Sequence, residues 1–131
     1  MKITLISLDN WGFNSNIAVA LEKKGHKIKH INFNEFTYKY PSFSLRIYNF
    51  LNKKFLNKNL KTIYYGEKII EILKENNEIQ DIILTIKADF IDPKSLMEFK
   101  KYTAKSITFV NDSIARYPKT VSILKYFDEV Y

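Results

Sequence analysis

Short apolar runs rich in β-branched residues recur along the chain and predict buried strands. Three of them lie at residues 2–8 (KITLISL), 81–86 (DIILTI) and 106–110 (SITFV). Residues 27–33 (KIKHINF) place their side chains alternately on two faces, with the apolar set changing face partway, which predicts a half-exposed strand. A further strand is predicted at residues 129–131, where the sequence reads EVY.

Apolar residues at helical spacing separate these strands and predict helices over residues 15–24, 60–76, 93–102 and 119–125. Asn14 or Ser15 is expected to cap the first helix, and Gly25 to end it. A strand, a helix and a second strand within about 30 residues form a βαβ unit with parallel strands. The sequence therefore predicts a single Rossmann-like α/β domain over residues 1–131, with an open parallel sheet of about five strands and helices on both faces.

The connection over residues 35–59 is less regular, but it contains one more predicted helix after Pro41 and Ser42. Its apolar side chains fall near one helical face: Leu45, Tyr48, Leu51, Phe55 and Leu56. Its polar and basic side chains take the other side: Arg46, Asn49, Lys53 and Lys54. An amphipathic helix of this kind ordinarily turns its apolar face to the core.

Composition narrows the class of protein. The chain has 131 residues, of which 46% are hydrophobic and 27% charged, so it is a globular protein rather than a disordered one. Cysteine is absent, which excludes disulfides, thiolate catalysis and iron–sulfur clusters. No apolar run approaches the roughly 18 residues of a membrane span, and no signal peptide is recognisable. The expected location is the cytoplasm.

Nearly all of the net charge of +7 comes from one segment, residues 36–66, which has six basic residues and no acidic one. The candidate binding residues of this segment are Arg46, Lys53, Lys54, Lys58 and Lys61. Aromatic residues are interleaved with them. Such a surface can bind single-stranded nucleic acid by stacking, or an anionic bilayer by electrostatics and shallow insertion. Alternatively, the aromatic side chains enter the core and only the lysines face solvent.

Ligands of open parallel sheets bind beyond the carboxyl ends of the strands, which makes the loops there the candidate site. The side chains expected to line it are Asp9, Trp11, Gly12, Asn14, Lys87, Asn111, Asp112, Ser113 and Tyr117. Trp11 either stacks on a sugar or base, or covers the sheet edge. Asp112 either accepts hydrogen bonds from hydroxyls and acts as a base, or caps the next turn.

Several known kinds of site are excluded by their missing motifs. The loop after the first strand, DNWGFN, lacks the G-x-G-x-x-G of dinucleotide-binding proteins, and no phosphate-binding P-loop occurs. A response-regulator receiver domain is excluded because the third strand ends without an aspartate at its tip. His26 and His30 lie at the start of and inside the second strand, where structural roles are expected, and no metal-ligand spacing is present.

Two stretches nevertheless resemble a known family. Residues 21–28 (LEKKGHKI) resemble the L-x-x-x-G-H-x-V entry to the second strand in the N-terminal domain of GT-B glycosyltransferases. Residues 106–131 resemble the W/N-D-S, Y-P, Y-F-D-x-V stretch of CgeB-like and lipopolysaccharide-biosynthesis transferases. The matching residues there are Asp112, Ser113, Tyr117, Pro118, Phe127, Asp128 and Val130.

This resemblance implies the acceptor-side N-terminal domain of a two-domain glycosyltransferase in surface-polysaccharide or lipopolysaccharide biosynthesis. The nucleotide-sugar donor would bind to a C-terminal domain beyond Tyr131. The domain alone is therefore expected to be inactive and to hold no cofactor or metal of its own. Asp112 is the first candidate for a hydrogen-bonding group or base, and Asp9 is the second.

The expected partners are a glycan or lipid-linked acceptor and an anionic membrane surface at the inner face of the membrane; nucleic acid is not the favoured partner. A different class of function also fits the sequence. In that alternative the chain is a non-catalytic Rossmann-like or flavodoxin-like binding module, which uses its basic aromatic face for nucleic acid or a protein partner.

Overall fold

The chain folds around one parallel sheet. The computed structural model describes residues 1–110 and 118–131. The strands are β1 (Lys2–Ser7), β2 (Lys27–Asn32), β3 (Gln80–Ile86), β4 (Thr103–Phe109) and β5 (Glu129–Val130). They stand in the order β2-β1-β3-β4-β5, and each neighbouring pair is parallel. The predicted α/β architecture with a five-stranded open sheet is confirmed.

Helices connect the strands as the sequence predicts. Their bounds are α1 (Phe13–Lys23), α2 (Phe43–Phe55), α3 (Leu60–Glu75), α4 (Pro93–Phe99) and α5 (Pro118–Leu124). Short 3-10 turns follow β2 at Phe33–Glu35 and β3 at Ala88–Phe90. Side-chain oxygens of Ser42, Asn59 and Asp92 accept hydrogen bonds from the first turns of α2, α3 and α4, and so fix where these helices begin.

Helices cover the two faces of the sheet unequally. Side chains alternate along each strand, so Leu5 of β1 points to one face and Ile6 to the other. Leu5 packs with Ala18 of α1. Ile6 belongs to the larger core, which α3, α4 and α5 supply with side chains such as Ile69, Leu96 and Ile123. The main core therefore lies on the α3 side of the sheet.

A glycine allows α3 and α4 to approach each other closely. A Cβ atom placed on Gly66 would overlap the side chain of Ser95 and the carboxylate of Asp92. Asp92 is the cap of α4 and accepts hydrogen bonds from the backbone N–H groups of Lys94 and Ser95. Gly66 thus makes room for the first turn of α4, which the larger core requires.

Candidate functional site

The reversal of strand order beside β1 places the candidate ligand site. From β1 the chain runs through α1 to β2 on one side, and from β3 it runs through α4 to β4 on the other side. The loops that leave β1 and β3 therefore diverge at the carboxyl edge of the sheet, which is where open parallel sheets bind their ligands in a crevice. We call the region between residues 8–12 and 87–89 the carboxyl-edge crevice.

Asp9 fixes the start of α1 within the loop after β1. Gly12 is the N-cap residue of α1 and offers no side-chain hydrogen bond, with a φ of 75° in the left-handed region. The Asp9 carboxylate replaces that cap, because it accepts hydrogen bonds from the backbone N–H of Ser15 at 2.8 Å and from the Ser15 hydroxyl. The expectation that Asn14 or Ser15 caps this helix is therefore wrong.

The same contacts set the charge of Asp9. Desolvation by itself would raise the pKa of this carboxyl, but the hydrogen bonds from Ser15, and the backbone N–H groups of Asn14 and Gly12, outweigh it and lower the pKa. Asp9 is therefore ionised at neutral pH and is a weak base. A carboxylate in this state is suited to accept hydrogen bonds from ligand hydroxyl groups.

Side-chain amides hold the rest of this loop. Asn34, which follows β2, donates hydrogen bonds to the carbonyl oxygen of Asp9 at 2.8 Å and to the side-chain oxygen of Asn10 at 2.9 Å. Asn14 donates to the carbonyl oxygen of Leu8 at 2.8 Å. These bonds tie the loop to the ends of β1 and β2, so the crevice has a fixed wall.

Trp11 stands at the tip of this wall. Its side chain is 83% exposed, beside the exposed Gly12. Covering the sheet edge was the alternative role for this residue, but an indole that covered the sheet would be buried against it. The exposed ring is thus available to stack on a ligand.

The loop after β3 forms the other wall. Lys87 adopts a left-handed backbone conformation with a φ of 60°, and its ammonium group lies 5.6 Å from the centre of the Phe90 ring. Asp89 is half-buried. It lines a small cavity of about 130 Å³ together with Lys53 at the end of α2, Asn57 in the next turn and Ser122 of α5.

Part of the predicted site lies outside the residues that the structure describes. Asn111, Asp112, Ser113 and Tyr117 lie outside the described residues, so their roles stay predictions.

Within residues 1–110 and 118–131, no group of three or more His, Asp or Glu side chains is placed to hold a metal ion. His30 lies on the sheet, with its Nε2 atom 2.8 Å from the Ser7 hydroxyl.

Asp128, one of the residues that match the transferase stretch, fastens the end of the sheet. Its carboxylate accepts hydrogen bonds from the Lys100 ammonium at 2.8 Å, and from the Ser106 backbone N–H at 2.8 Å and hydroxyl at 2.7 Å. These contacts, that of Lys100 foremost, lower the pKa of Asp128 to about 2. The residue therefore has a clear structural role between α4, β4 and β5.

The aromatic residues of the basic segment divide into two groups. Those next to α3 pack against one another, as Tyr38 does against Tyr40 and Tyr64 with ring centres 4.9 and 5.3 Å apart. Tyr65 stacks on the buried Phe33 at 5.6 Å. The other group lies on α2 and is exposed. The alternative in which the aromatic side chains are packed inside is thus confirmed for the group next to α3, while binding by the exposed group on α2 stays a prediction.

The apolar side of α2 points away from the protein. Its large exposed side chains are Phe43, Ile47, Tyr48, Phe50, Leu51, Phe55 and Leu56. Together with the exposed Arg46, Lys53 and Lys54 they form what we call the α2 surface. The prediction that α2 turns its apolar face to the core is therefore wrong.

A buried asparagine favours the orientation in which the apolar side of α2 is exposed. Asn49 is the buried residue of α2, and its side-chain amide donates hydrogen bonds to the Tyr40 hydroxyl at 2.6 Å and to the Asn59 side-chain oxygen at 3.2 Å. Its own oxygen accepts a hydrogen bond from the backbone N–H of Leu60 at 2.8 Å. Because an unpaired buried amide is costly, this network favours the observed orientation of α2.

A larger groove of about 770 Å³ runs between α3 and α4. Its walls carry charges of both signs, including Glu67, Glu71 and Lys94. Lys74 on α3 and Glu98 on α4 approach to 3.8 Å across it. No set of like groups converges on one point, so the groove indicates no particular ligand.

Comparison with known proteins adds no family to this description. The sequence matches no protein-family model and no curated protein. In the part of the chain that the structure describes, every helix is too short or too polar to cross a membrane. The crevice and the α2 surface are therefore the features that indicate a function.

Proposed function

We propose that this chain is the acceptor-side N-terminal domain of a glycosyltransferase that builds a surface polysaccharide or lipopolysaccharide. In this proposal the acceptor glycan binds in the carboxyl-edge crevice, and a nucleotide-sugar bound by a C-terminal domain faces it. The observation that supports the proposal is the exposed Trp11 on a loop held by hydrogen bonds at the point where the strand order reverses.

The chemistry of the crevice suits a sugar. An indole ring offers a flat apolar surface to the C–H face of a pyranose. The ionised Asp9 and the amide side chain of Asn10 lie on the same loop and can exchange hydrogen bonds with hydroxyl groups. Because their loop is already fixed, a ligand would have little ordering entropy to offset.

In this proposal the described residues bind and orient the acceptor, while the proton transfer is assigned to Asp112. Asp112 follows β4, whose carboxyl end lies at the same edge of the sheet as the crevice. A base there would accept a proton from the acceptor hydroxyl as that oxygen bonds to the anomeric carbon of the donor sugar, while the bond from this carbon to the phosphate breaks and the nucleotide leaves. Lys87, on the opposite wall from Trp11, would contact an anionic group of the acceptor.

Calorimetric titration of the whole chain with a lipopolysaccharide core oligosaccharide tests this proposal. We expect Trp11→Ala to weaken binding by about tenfold and Trp11→Phe to retain most of it, because stacking needs an aromatic ring. The control is Tyr131→Ala, which removes an exposed aromatic side chain beyond β5, far from β1 in the sheet. Equal effects of Trp11→Ala and Tyr131→Ala would contradict the proposal.

Trp11 is also the only tryptophan of the chain, so its fluorescence reports directly on the crevice. Addition of the oligosaccharide should change the emission. Polyethylene glycol, an uncharged polymer without sugar rings, is the control for viscosity and should leave the emission unchanged. An unchanged emission at saturating oligosaccharide would place the ligand elsewhere.

A non-catalytic binding module is the second candidate function, and the exposed basic α2 surface is the observation that favours it. Titration with an oligodeoxythymidylate at two salt concentrations separates the candidates. Phosphate binding would weaken steeply as salt increases. Strong oligonucleotide binding without oligosaccharide binding would favour the module.

A further inference from the structure

The α2 surface is an amphipathic helix with its apolar side in water. Phe43 is 74% exposed and Phe55 is 72% exposed, and Ile47, Phe50 and Leu51 between them are also exposed. Contiguous apolar surface of this kind is rare on monomeric proteins and marks a binding site for another surface.

The helix geometry shows why the described residues leave this side uncovered. Successive residues of an α-helix are rotated by about 100°. Leu45, Asn49 and Asn52 therefore share the side that faces the protein, where they are buried or half-buried. The side around Ile47 and Leu51 lies nearly opposite, so it points into solvent.

Positive charge borders the apolar side. Arg46 and Lys53 are seven residues apart and so lie on the same edge of α2, and Lys54 lies among the exposed apolar residues. Lys58 follows in the next turn. No acidic residue occurs between positions 36 and 66, so this surface is complementary to a negatively charged partner.

We propose that the α2 surface binds the anionic face of a lipid bilayer. The 13 residues of α2 form a helix about 20 Å long that would lie in the plane of the membrane. Its phenylalanine, isoleucine and leucine side chains enter the boundary between headgroups and acyl chains, and its arginine and lysines contact lipid phosphates.

The arrangement fits a bilayer better than a nucleic acid. A nucleic-acid surface places basic groups along a groove with aromatic rings beside them for stacking. On α2 the aliphatic Ile47 and Leu51 occupy the middle of the exposed side, where they could neither stack on bases nor bind phosphates. An exposed side that is mainly apolar, with basic side chains along one edge and a lysine among the apolar residues, is the pattern of a membrane-surface helix. This proposal does not depend on the proposed transferase function.

Co-sedimentation of the whole chain with vesicles tests the apolar contact. We expect binding to vesicles of equal parts phosphatidylglycerol and phosphatidylcholine, and about tenfold weaker binding for Phe55→Ser. Phe13→Ser is the matched control, because Phe13 is also 72% exposed at the end of a helix but lies on α1. Unchanged thermal unfolding will show that both variants fold.

Charge reversal tests the electrostatic contact. The double variant Lys53→Glu, Lys54→Glu should bind the same vesicles at least about a hundredfold more weakly. The matched control is Lys23→Glu, Lys24→Glu, which reverses an adjacent exposed lysine pair at the end of α1. Binding of the unaltered chain should weaken with added salt and be much weaker on pure phosphatidylcholine.

Several results would overturn the proposal. These are the absence of vesicle binding, equal losses for Phe55→Ser and Phe13→Ser, or equal losses for the two lysine pairs. Binding to an oligodeoxythymidylate but not to vesicles would make the α2 surface a nucleic-acid site. A concentration-dependent dimer that Phe55→Ser dissociates, again without vesicle binding, would make it a contact between two copies of the chain.

Discussion

The consecutive helices α2 and α3 belong to the same connection between β2 and β3, yet they bury opposite kinds of residue. The buried side of α3 consists of Tyr65, Gly66, Ile69, Ile70 and Leu73. The buried residue of α2 is Asn49, and its large apolar side chains are exposed. An amphipathic pattern thus predicts that a helix has two faces, but it does not predict which face is inside, and in α2 the inner face carries a hydrogen-bonded asparagine.

The largest difference should appear on truncation of one leucine in each helix. Leu73 of α3 is 1% exposed, and Leu73→Ala should lower the free energy of unfolding by about 3 kcal/mol, because it leaves a cavity in the core. Leu51 of α2 is 45% exposed, and Leu51→Ala should change the free energy of unfolding by less than about 0.5 kcal/mol. Urea unfolding measures both. Similar losses would mean that α2 is packed against the protein.

A methyl group at the contact between α3 and α4 should have the next largest effect. Gly66→Ala should destabilise the fold by about 2 kcal/mol despite the better helix propensity of alanine, since the new Cβ overlaps Ser95. In a double-mutant cycle, Ser95→Gly should recover part of this loss. Additive losses in the cycle would show that the overlap is relieved elsewhere.

Removal of the buried amide tests what holds α2 in place. Asn49→Ala should cost about 1.5 kcal/mol, because Tyr40 and Asn59 lose a partner and the Leu60 N–H loses its acceptor. The control is Asn52→Ala, one turn further along the same side of α2. If thermal unfolding gives the same small shift for both variants, the Asn49 network does not determine the orientation of α2.

Acid should weaken the contacts that Asp128 makes at the end of the sheet. Residues 36–66, which contain α2, have no carboxylate to protonate. The lowered pKa of Asp128, due first to Lys100 and then to Ser106, means that its carboxylate stabilises the fold above an unfolded pKa of about 4. That contribution, about 1 kcal/mol after allowance for solvent exposure, is lost as the pH falls towards about 2. Urea unfolding of Asp128→Asn between these values should show a shallower dependence on pH than Glu22→Gln, an exposed control on α1.

The sequence predicts the fold better than it predicts the surfaces. Apolar periodicity is a local property, so β1, β3 and α3 are recognisable from their own residues, and the order of elements then predicts a parallel sheet. The position of the ligand edge follows from that topology. The orientation of α2 does not, because it depends on Asn49 meeting Tyr40 and Leu60 in space.

The candidate site shows the same limit. Asp9 is predictable as a residue at the end of β1, but its role as the cap of α1 arises because Gly12 provides no side chain and the loop turns the carboxylate towards Ser15. The match of Asp128 to a transferase stretch is explained equally well by its contacts with Lys100 and Ser106. Only the tertiary structure separates such structural roles from chemical ones.

The small cavity beside Asp89 lies between the end of α2 and the loop that follows β3. Lys53 and Asn57, at the end of α2, share its wall with the loop that leaves β3 at the carboxyl edge. A bilayer held by α2 would therefore lie next to that edge. In the proposed transferase, an acceptor with a lipid tail would reach the crevice by diffusing in two dimensions within the membrane. Its density in the leaflet, rather than its concentration in bulk solution, would then set the rate of encounter.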